Sequence, residues 1–257
     1  MLGLTLRHFL ESNVVWMDSI DSTNEEIKRN ADKFIKTTWV LARSQTQGKG
    51  RNGKIWLSGQ GNFAGSVIFF PTVKRAYYHL FGFFFGVALY NTIRNFLKED
   101  IDVRLKWPND LIIENRKVAG ILLETVQLKN DLRIGLIGGI GVNLNSSPNL
   151  KIKSRTAYDT GCISNFTSNT IDQFRFFNDF NNELISLESA IDENNLTHIL
   201  YFWQKKSFEK GSIVQFSDQR GKLRKGKFLG LDELGSLIID DISGVKKLYS
   251  GDVYFGS

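Results

Sequence analysis

The sequence predicts an α+β fold that ends in a small β-barrel-like unit. Strand-like runs surround one apolar helix, a second helix with amphipathic spacing follows from about residue 170, and short strands separated by glycines occupy the chain beyond residue 208. Helices and strands that do not alternate regularly are typical of the α+β class. About fifty residues of short strands and glycine turns favour a small barrel.

The composition indicates an ordinary globular protein. Its 257 residues are 42% hydrophobic, which is enough for a sizeable core, and the formal net charge of +6 permits an anionic partner such as a nucleotide. The three histidines lack ligand spacing and Cys162 is the single cysteine, so we expect neither a metal centre nor a disulfide. Charges interrupt the N-terminal apolar stretch, and the longest apolar run is too short for a bilayer. We therefore expect a cytoplasmic protein without a membrane segment.

The first elements are a strand at residues 13–17 and a helix that reaches about residue 30. Ser22 and Glu25 have capping-box spacing, so the Ser22 hydroxyl is expected to cap this helix. Further strands are predicted at the apolar runs 39–42 and 62–70. The apolar run 80–90 then predicts a buried helix within residues 77–96.

A strand at residues 103–107 follows and ends at Pro108. The apolar runs 111–113 and 118–124 are separated by four polar residues, which predicts a hairpin. Residues 132–142 predict one more strand, and glycines near its end permit close approach of the backbone to a ligand.

Helical spacing places five apolar residues on one face: Phe177, Phe180, Leu184, Leu187 and Ile191. A short helix is expected at residues 196–204. The predicted C-terminal strands cover residues 212–216, 224–229, 237–240, 246–249 and 253–255. This change from helical spacing to short strands separated by glycines predicts a larger domain at residues 1–207 and a C-terminal domain at residues 208–257.

A basic glycine loop at residues 48–56 is the first candidate site. Its glycines allow tight turns and close backbone approach, and Lys49, Arg51 and Lys54 place cations beside any bound anion. The loop matches the letters of G-x-G-x-x-G, but no helix start follows it and no acidic residue lies about 20 positions further on. A Rossmann site is therefore excluded, while a phosphate-binding loop and a plain surface turn both stay open.

Five segments together resemble the signature of the biotin protein ligase family. They are Asp21-Ser22-Thr23-Asn24 and residues 48–56, 106–111, 117–124 and 139–143, in the family's order. The resemblance implies a catalytic domain like those of class II synthetases and biotin/lipoyl ligases, with a mixed, largely antiparallel central sheet. It also implies an SH3-like C-terminal barrel. The loop has Lys49 and Lys54 where the family commonly has arginine, and lysine cannot make arginine's bidentate contact with phosphate.

The resemblance implies a ligase that forms biotinyl-5′-AMP from biotin and ATP and then transfers biotin to a lysine of a carrier protein. The implied catalytic residues are Lys117 and Arg51. Biotin binding is implied for Ser22, Thr23, Asn24, Gln45, Gly48, Lys49, Gly50, Arg51, Lys117 and Gly120. Nucleotide binding is implied for Arg51, Lys54, Trp56, Trp107, Asn109, Asp110 and Asn143, with Mg²⁺ as an activator near Asn143 and no tightly bound metal.

The implied partner is the biotin carboxyl carrier domain of a carboxylase, and an edge-to-edge homodimer is compatible with the resemblance. About a dozen residues precede the first strand, so we expect no helix-turn-helix domain and no DNA-binding role. A lipoate or octanoate ligase or transferase is an alternative of the same superfamily. A nucleic-acid-binding module is another, since the C-terminal region carries Arg220, Lys222, Arg224, Lys225 and Lys227.

Overall fold

The computed structural model describes residues 8–129, 133–148, 158–191, 193–217 and 221–256. The first eight strands are β1 (Asn13–Ile20), β2 (Thr38–Gln45), β3 (Phe63–Phe69), β4 (Val103–Lys106), β5 (Asp110–Ile113), β6 (Arg116–Gln127), β7 (Ile134–Val142) and β8 (Asp159–Thr160). The C-terminal strands are β9 (Ile213–Ser217), β10 (Leu223–Leu231), β11 (Leu237–Asp241), β12 (Gly244–Leu248) and β13 (Val253–Phe255). The α-helices are α1 (Thr23–Arg29), α2 (Leu80–Arg94), α3 (Gln173–Ala190) and α4 (Ile199–Lys205).

The larger sheet is mixed and largely antiparallel, as predicted. Its order is β1-β2-β3-β7-β6-β5-β4, and β8 pairs with the start of β6. The β1–β2 and β6–β8 pairs are parallel, whereas every other pair in this sheet's described strands is antiparallel. The last residues of β2 and β7 and the first residues of β3 and β6 consequently lie along the same edge of the sheet, beside α1 and the basic glycine loop.

The predicted hairpin is formed by β5 and β6, joined through Glu114 and Asn115. Both turn residues have positive φ, at 46° and 60°. A two-residue turn with two positive φ values matches the right-handed twist of its strands, which is why such turns close hairpins. The turn sets the pairing of Ile112 with Lys117, and a register shift between Leu111 and Ile112 then places Asp110 opposite Gly120.

Two helices bury large aromatic faces against the sheet. Helix α2 is apolar almost all round and packs against α3, α4 and strands β4 to β7. The predicted face of α3 is confirmed, because Phe177, Phe180 and Leu184 are buried within the main core. Each such side chain contributes about 2 kcal/mol on leaving water. The helices thus fix the position of the sheet whose strand ends carry the site.

The C-terminal strands form a five-stranded antiparallel sheet in the order β12-β11-β10-β9-β13. All five predicted strands are present. The predicted barrel closure is not found: the described pairings leave β12 and β13 as two edges, so the unit is an open sheet in the part that the structure describes. Short strands with a bulge between Phe228 and Gly230 curve this sheet without joining its ends.

The predicted capping box at the start of α1 is wrong. Ser22 occupies the N-cap position with extended backbone, but its hydroxyl makes no capping hydrogen bond. Glu25 instead pairs with Lys28 at 2.9 Å and with Lys49 at 3.0 Å. The Ser22 side chain lines a cavity, and the ion pairs of Glu25 draw that carboxylate away from the helix end.

None of the helices in the described ranges has the length and hydropathy that a bilayer-crossing segment needs.

Candidate active site

A cavity of about 270 Å³ lies where the ends of β2, β3, β6 and β7 meet the basic glycine loop. Most of the residues singled out in the sequence line it: Ser22, Thr23, Asn24, Gln45, Lys49, Gly50, Arg51, Lys54, Trp56, Asn109, Asp110, Lys117, Gly120 and Asn143. The fold therefore gathers all five motif segments, which extend from Ser22 to Asn143 in the chain, into a single cavity.

Two of the singled-out residues are not among its described lining residues. Trp107 is buried on the other side of the Pro108 turn, where it lines a neighbouring cavity of about 400 Å³ and donates its indole N–H to the Gly235 carbonyl at 2.9 Å. Gly48 lies behind the loop: its carbonyl accepts the Trp56 amide at 2.9 Å, and a side chain there would collide with the Trp56 backbone. Gly48 thus supports the shape of the loop.

The basic loop is a narrow hairpin. Lys49 and Ile55 form an antiparallel bridge, and the Gly50 amide donates to the Lys54 carbonyl at 2.8 Å. At its tip Asn52 and Gly53 have φ of 56° and 72°, a left-handed region in which glycine and asparagine are the least strained residues. This geometry turns the chain back so that Lys49, Arg51 and Lys54 all line the cavity.

Trp56 closes the wall of the cavity by lying against two glycines. A Cβ atom would be 3.3 Å from the indole at Gly120 and 2.5 Å from it at Gly141. The Lys117 ammonium lies 5.7 Å from the centre of the indole ring, within the range of a cation–π contact. A side chain at Gly141 would therefore displace this ring, whereas one at Gly120 would only crowd it.

A buried carboxylate joins two lysines on the opposite wall. Asp110 is 2.6 Å from Lys117 Nζ and 3.2 Å from Lys106 Nζ. Burial raises the pKa of the Asp110 carboxyl, but the charges and hydrogen bonds of the two lysines outweigh it and lower the pKa to about 2. Burial lowers the pKa of Lys106, which Asp110 partly offsets. Asp110 is therefore the counter-ion that holds Lys117 in place.

Arg51 and Asn109 form the next contact. Arg51 Nη1 donates to Asn109 Oδ1 at 3.1 Å, and Asn109 Nδ2 donates to the Ile121 carbonyl at 2.7 Å. The Asn109 amide is thereby fixed with its oxygen towards the arginine. A guanidinium carries five N–H donors, so this single hydrogen bond leaves others for an anion in the cavity.

The other end of the cavity is neutral and hydrogen-bonding. Gln45 Oε1 accepts the Thr23 amide at 2.8 Å, and Ser66 Oγ lies 2.6 Å from Thr23 Oγ1 and 2.5 Å from Asn24 Oδ1. Thr23, Asn24 and Ser66 are all almost completely buried. Buried polar groups of this kind can bind a ligand whose donors and acceptors match their own.

Asn143 follows β7 and has one side-chain atom without a partner. Its Nδ2 donates to the Gly161 carbonyl at 2.9 Å, while Oδ1 is buried and accepts no hydrogen bond within the described part of the chain. A buried oxygen without a partner is costly unless a ligand or water satisfies it. The described ranges contain no cluster of three or more His, Cys, Asp or Glu that could hold a metal ion.

The sequence interpretation missed several lining residues, among them Ser66, Lys106, Tyr158 and Asp252. Lys106 begins a motif that had been singled out, so its place beside Asp110 could have been proposed. Ser66 sits inside an apolar strand and looks like a core residue. Asp252 comes from the C-terminal sheet and lies 2.5 Å from Lys54 Nζ, a contact between distant segments that no local pattern indicates.

Cations and fixed hydrogen-bonding groups gathered in one cavity suit a reaction in which negative charge develops. A model of the "Biotin/lipoate A/B protein ligase family" matches residues 16–143, and a model of the "Biotin protein ligase C terminal domain" matches residues 211–256. The chain belongs to this ligase family, in the branch that carries the biotin protein ligase C-terminal domain.

Relatives and solved structures agree with that membership. A biotin–[acetyl-CoA-carboxylase] ligase of Paracoccus denitrificans is 28% identical over 236 residues, which cover 92% of this chain and 98% of the relative. A bifunctional ligase/repressor of Bacillus subtilis is 27% identical over 249 residues, covering 95% and 74%. The biotin protein ligase from Aquifex aeolicus in complex with biotin and ATP has the same fold, with a TM-score of 0.77, 24% identity and coverage of 95% and 99%.

Proposed function

We propose that this protein is an ATP-dependent biotin protein ligase that modifies a lysine of the biotin carboxyl carrier domain of a carboxylase. One observation carries the proposal: a single cavity has Arg51 and Lys117 at one end and the Thr23–Gln45 hydrogen-bonding group at the other. Biotin has the complementary form, with a carboxylate at one end and a neutral cyclic urea at the other. The relatives' names and the complexes of structural neighbours with biotin and ATP point to the same reaction.

The first half-reaction joins two anions. A carboxylate oxygen of biotin attacks the α-phosphorus of ATP, the bond from that phosphorus to the bridging oxygen breaks, and pyrophosphate leaves with the electron pair. Lys117 and Arg51 would offset the repulsion between carboxylate and triphosphate, because fixed cations in a cavity shielded from water stabilise the charge that develops in the transition state. Asp110 would hold Lys117 towards the reacting oxygens through the 2.6 Å contact.

The second half-reaction transfers biotin. The amine of the carrier lysine attacks the carbonyl carbon of the mixed anhydride, the bond to the phosphate oxygen breaks, AMP leaves, and the amine loses a proton. Arg51 and the loop amides would keep the anhydride in place during this step. A loop that covers the anhydride also limits its hydrolysis by water.

We propose Mg²⁺ as the activator of the triphosphate. The buried, unpartnered Asn143 Oδ1 supports a place for it, because Mg²⁺ bound to a nucleotide commonly takes one or two protein oxygens and completes its shell with phosphates and water. The ion would neutralise part of the triphosphate charge. The nucleotide side would otherwise consist of Lys54, Trp56, Asn109 and Asp110, with Trp107 behind them.

We further propose a catalytic domain at residues 1–207 and a C-terminal domain at residues 208–257, a cytoplasmic location, and a homodimer formed through the central sheet. The biotin side of the site would consist of Ser22, Thr23, Asn24, Gln45, Lys49, Gly50 and Gly120, with Gly48 shaping the loop. Lipoate and octanoate are the competing acids within this family.

The substrate is tested by incubating the protein with ATP, Mg²⁺ and a carboxylase carrier domain, together with biotin, lipoate or octanoate. We expect covalent modification of one carrier lysine with biotin only, read by mass spectrometry of the intact carrier. Modification by lipoate or octanoate in preference to biotin would contradict the proposal, since those acids lack the cyclic urea that Thr23 and Gln45 would recognise.

A further inference from the structure

Glu124, at the end of the K-x-A-G-I-L-L-E segment, lies outside the described lining of the cavity but is connected to it. Its Oε2 accepts a hydrogen bond from Asn24 Nδ2 at 2.8 Å, and its Oε1 forms an ion pair with Lys28 Nζ at 2.7 Å. Burial lowers the pKa of Lys28, but hydrogen bonds to Glu124 and Glu25 raise it above its usual value. Lys28 is thus a full positive charge that keeps Glu124 at the end of α1.

The Asn24 amide has only one orientation that suits this carboxylate. An ionised glutamate accepts hydrogen bonds and donates none, so Asn24 must present Nδ2 to Glu124. Its Oδ1 then faces Ser66, at 2.5 Å from Ser66 Oγ. Asn24 has little room to move, because even a methyl group at Gly139 would collide with this amide.

The orientation of Asn24 determines where Ser66 donates its hydroxyl proton. The direction of that hydrogen bond in turn determines where Thr23 donates its own. Ser66 has a single hydroxyl proton and must donate it to Asn24 Oδ1, which can only accept. Thr23 Oγ1 lies 2.6 Å from Ser66 Oγ and 3.1 Å from Gln45 Oε1. Ser66 has already given its own proton to Asn24, so only the Thr23 proton can occupy the shorter contact, and Thr23 is the donor to Ser66. The oxygen of Thr23 has no proton left, so towards the cavity it can only accept.

The backbone amide of Thr23 sets the orientation of the Gln45 side chain. Its Oε1 accepts the Thr23 backbone amide at 2.8 Å, which leaves the Nε2 group to donate elsewhere. The cavity therefore offers an acceptor on Thr23 next to a donor on Gln45. An N–H beside a C=O, as in a cyclic urea, is the complementary arrangement.

We propose that Glu124 is a positioning residue that sets the direction of the hydrogen bonds in the biotin pocket through Asn24 and Ser66, with Lys28 as its counter-ion. This inference rests on the proposed function of the cavity as a biotin site. Glu124 touches no substrate. It determines whether each polar atom of the pocket acts as a hydrogen-bond donor or as an acceptor.

The substitution Glu124→Gln reverses the chain of hydrogen bonds. The Lys28 ammonium attracts the oxygen of the new amide, so the amide nitrogen faces Asn24 and Asn24 turns its own oxygen to meet it. Asn24 Nδ2 then donates to Ser66, and Ser66 donates to Thr23. The Thr23 proton is thereby released towards the cavity, where the ligand needs an acceptor. Leaving one buried polar group of the ligand without a partner lowers affinity by about 10-fold or more.

The test measures by calorimetry the dissociation constants of biotin and of two analogues, in each of which one ureido N–H is replaced by oxygen. A second assay measures the ATP concentration that gives half-maximal pyrophosphate release. We expect the wild-type protein to prefer biotin to one analogue by about 10-fold, and Glu124→Gln to reduce that preference to about 3-fold or less. The ATP concentration for half-maximal pyrophosphate release should be the same in Glu124→Gln as in the wild type. Glu26→Gln is the matched control, because Glu26 is a carboxylate of α1 that pairs with Arg29 at 2.7 Å and does not line the cavity.

Ser66→Ala provides a second route to the same result, since it removes the middle hydroxyl and leaves Glu124 in place. It should lower the preference for biotin equally, and adding Glu124→Gln to it should cause no further loss. A Glu124→Gln protein that keeps the wild-type preference, or that loses affinity for biotin and both analogues by the same factor, overturns the inference. A wild-type protein that binds no biotin would instead reject the proposed function itself.

Discussion

Asp110 is the residue on which the charge balance of the cavity depends. It contacts Lys106 and Lys117, and the Lys106 side chain is only 5% exposed. A buried ammonium without its counter-ion is strongly destabilising, whereas an exposed ion pair contributes little. Asp110 therefore has both a structural role towards Lys106 and a positioning role towards Lys117.

We predict that Asp110→Asn lowers the free energy of unfolding by about 3 kcal/mol at neutral pH. The pKa of Asp110 is about 2 in the folded protein and 3.8 ordinarily, so its ionised form contributes stability above about pH 4 and loses that contribution as the pH falls towards 2. The difference between wild type and variant should shrink over the same interval. Denaturant titrations between pH 2 and pH 7 measure this difference.

Asp102→Asn is the control for this prediction, because Asp102 pairs with Arg104 at 2.9 Å with both side chains substantially exposed. It should change stability by less than about 1 kcal/mol. A difference between wild type and Asp110→Asn that stays constant down to pH 2 would show that the ionised carboxylate is not the source of the stability.

At the scale of elements, two strands and one loop form the cavity wall. Gly120 of β6 and Gly141 of β7 leave room for Trp56, and the Trp56 amide ties this ring to the base of the loop through the Gly48 carbonyl. Because Gly120 and Gly141 have no side chains, Trp56 can pack against the sheet, and this packing sets the position of the loop.

We predict that Gly141→Ala displaces Trp56 and with it the basic loop, because the new Cβ would lie 2.5 Å from the indole. The concentration of ATP needed for half-maximal pyrophosphate release should rise by about 10-fold, the effect of losing one well-placed contact. Limited trypsin digestion should also cut faster at Lys49, Arg51 and Lys54.

Gly138→Ala on the same strand separates this effect from a general loss of stability. A Cβ at Gly138 would collide with Phe85 in the core, so this variant should melt at a lower temperature without weakening the response to ATP. Equal ATP responses of the two variants would contradict the role given to Gly141.

The sequence predicts the helices and strands well, but it predicts the contacts of individual side chains only in part. The alternating strands, the hairpin and the apolar helix were predictable because burial imposes their periodicity on neighbouring residues. The hydroxyl of Ser22 was assigned to a helix cap because local spacing cannot show that Glu25 has stronger partners in Lys28 and Lys49. The places of Ser66 and Asp252 depend on contacts between distant segments and have no local signal.

At the scale of the molecule, the C-terminal sheet is joined to the rest of the fold by specific buried contacts. Tyr158 Oη donates to the Phe255 carbonyl at 2.8 Å and accepts the Phe255 amide at 3.1 Å, and the Trp107 indole donates to the Gly235 carbonyl. One hydrophobic core includes residues of both sheets, among them Ile140 of β7 and Phe228 of β10. The two sheets should therefore unfold together.

We predict that Tyr158→Phe lowers the free energy of unfolding by about 2 kcal/mol, because the amide and carbonyl of Phe255 both lose a buried partner. Calorimetry should show a single transition for the wild-type protein and for the variant. Tyr201→Phe is the control, since Tyr201 is more than half exposed and should lose little. Two separate transitions in the wild type would mean that the sheets are independent.

The most direct measurement of the central claim is pyrophosphate release from ATP that depends on biotin, compared between the wild type and Lys117→Ala. The account predicts release by the wild type with biotin and not with lipoate, and a fall of about 1000-fold or more in Lys117→Ala, whose folding is checked by its melting temperature. A wild-type rate in Lys117→Ala, or release that is independent of biotin, would contradict the assignment of this cavity as the site of biotin adenylation.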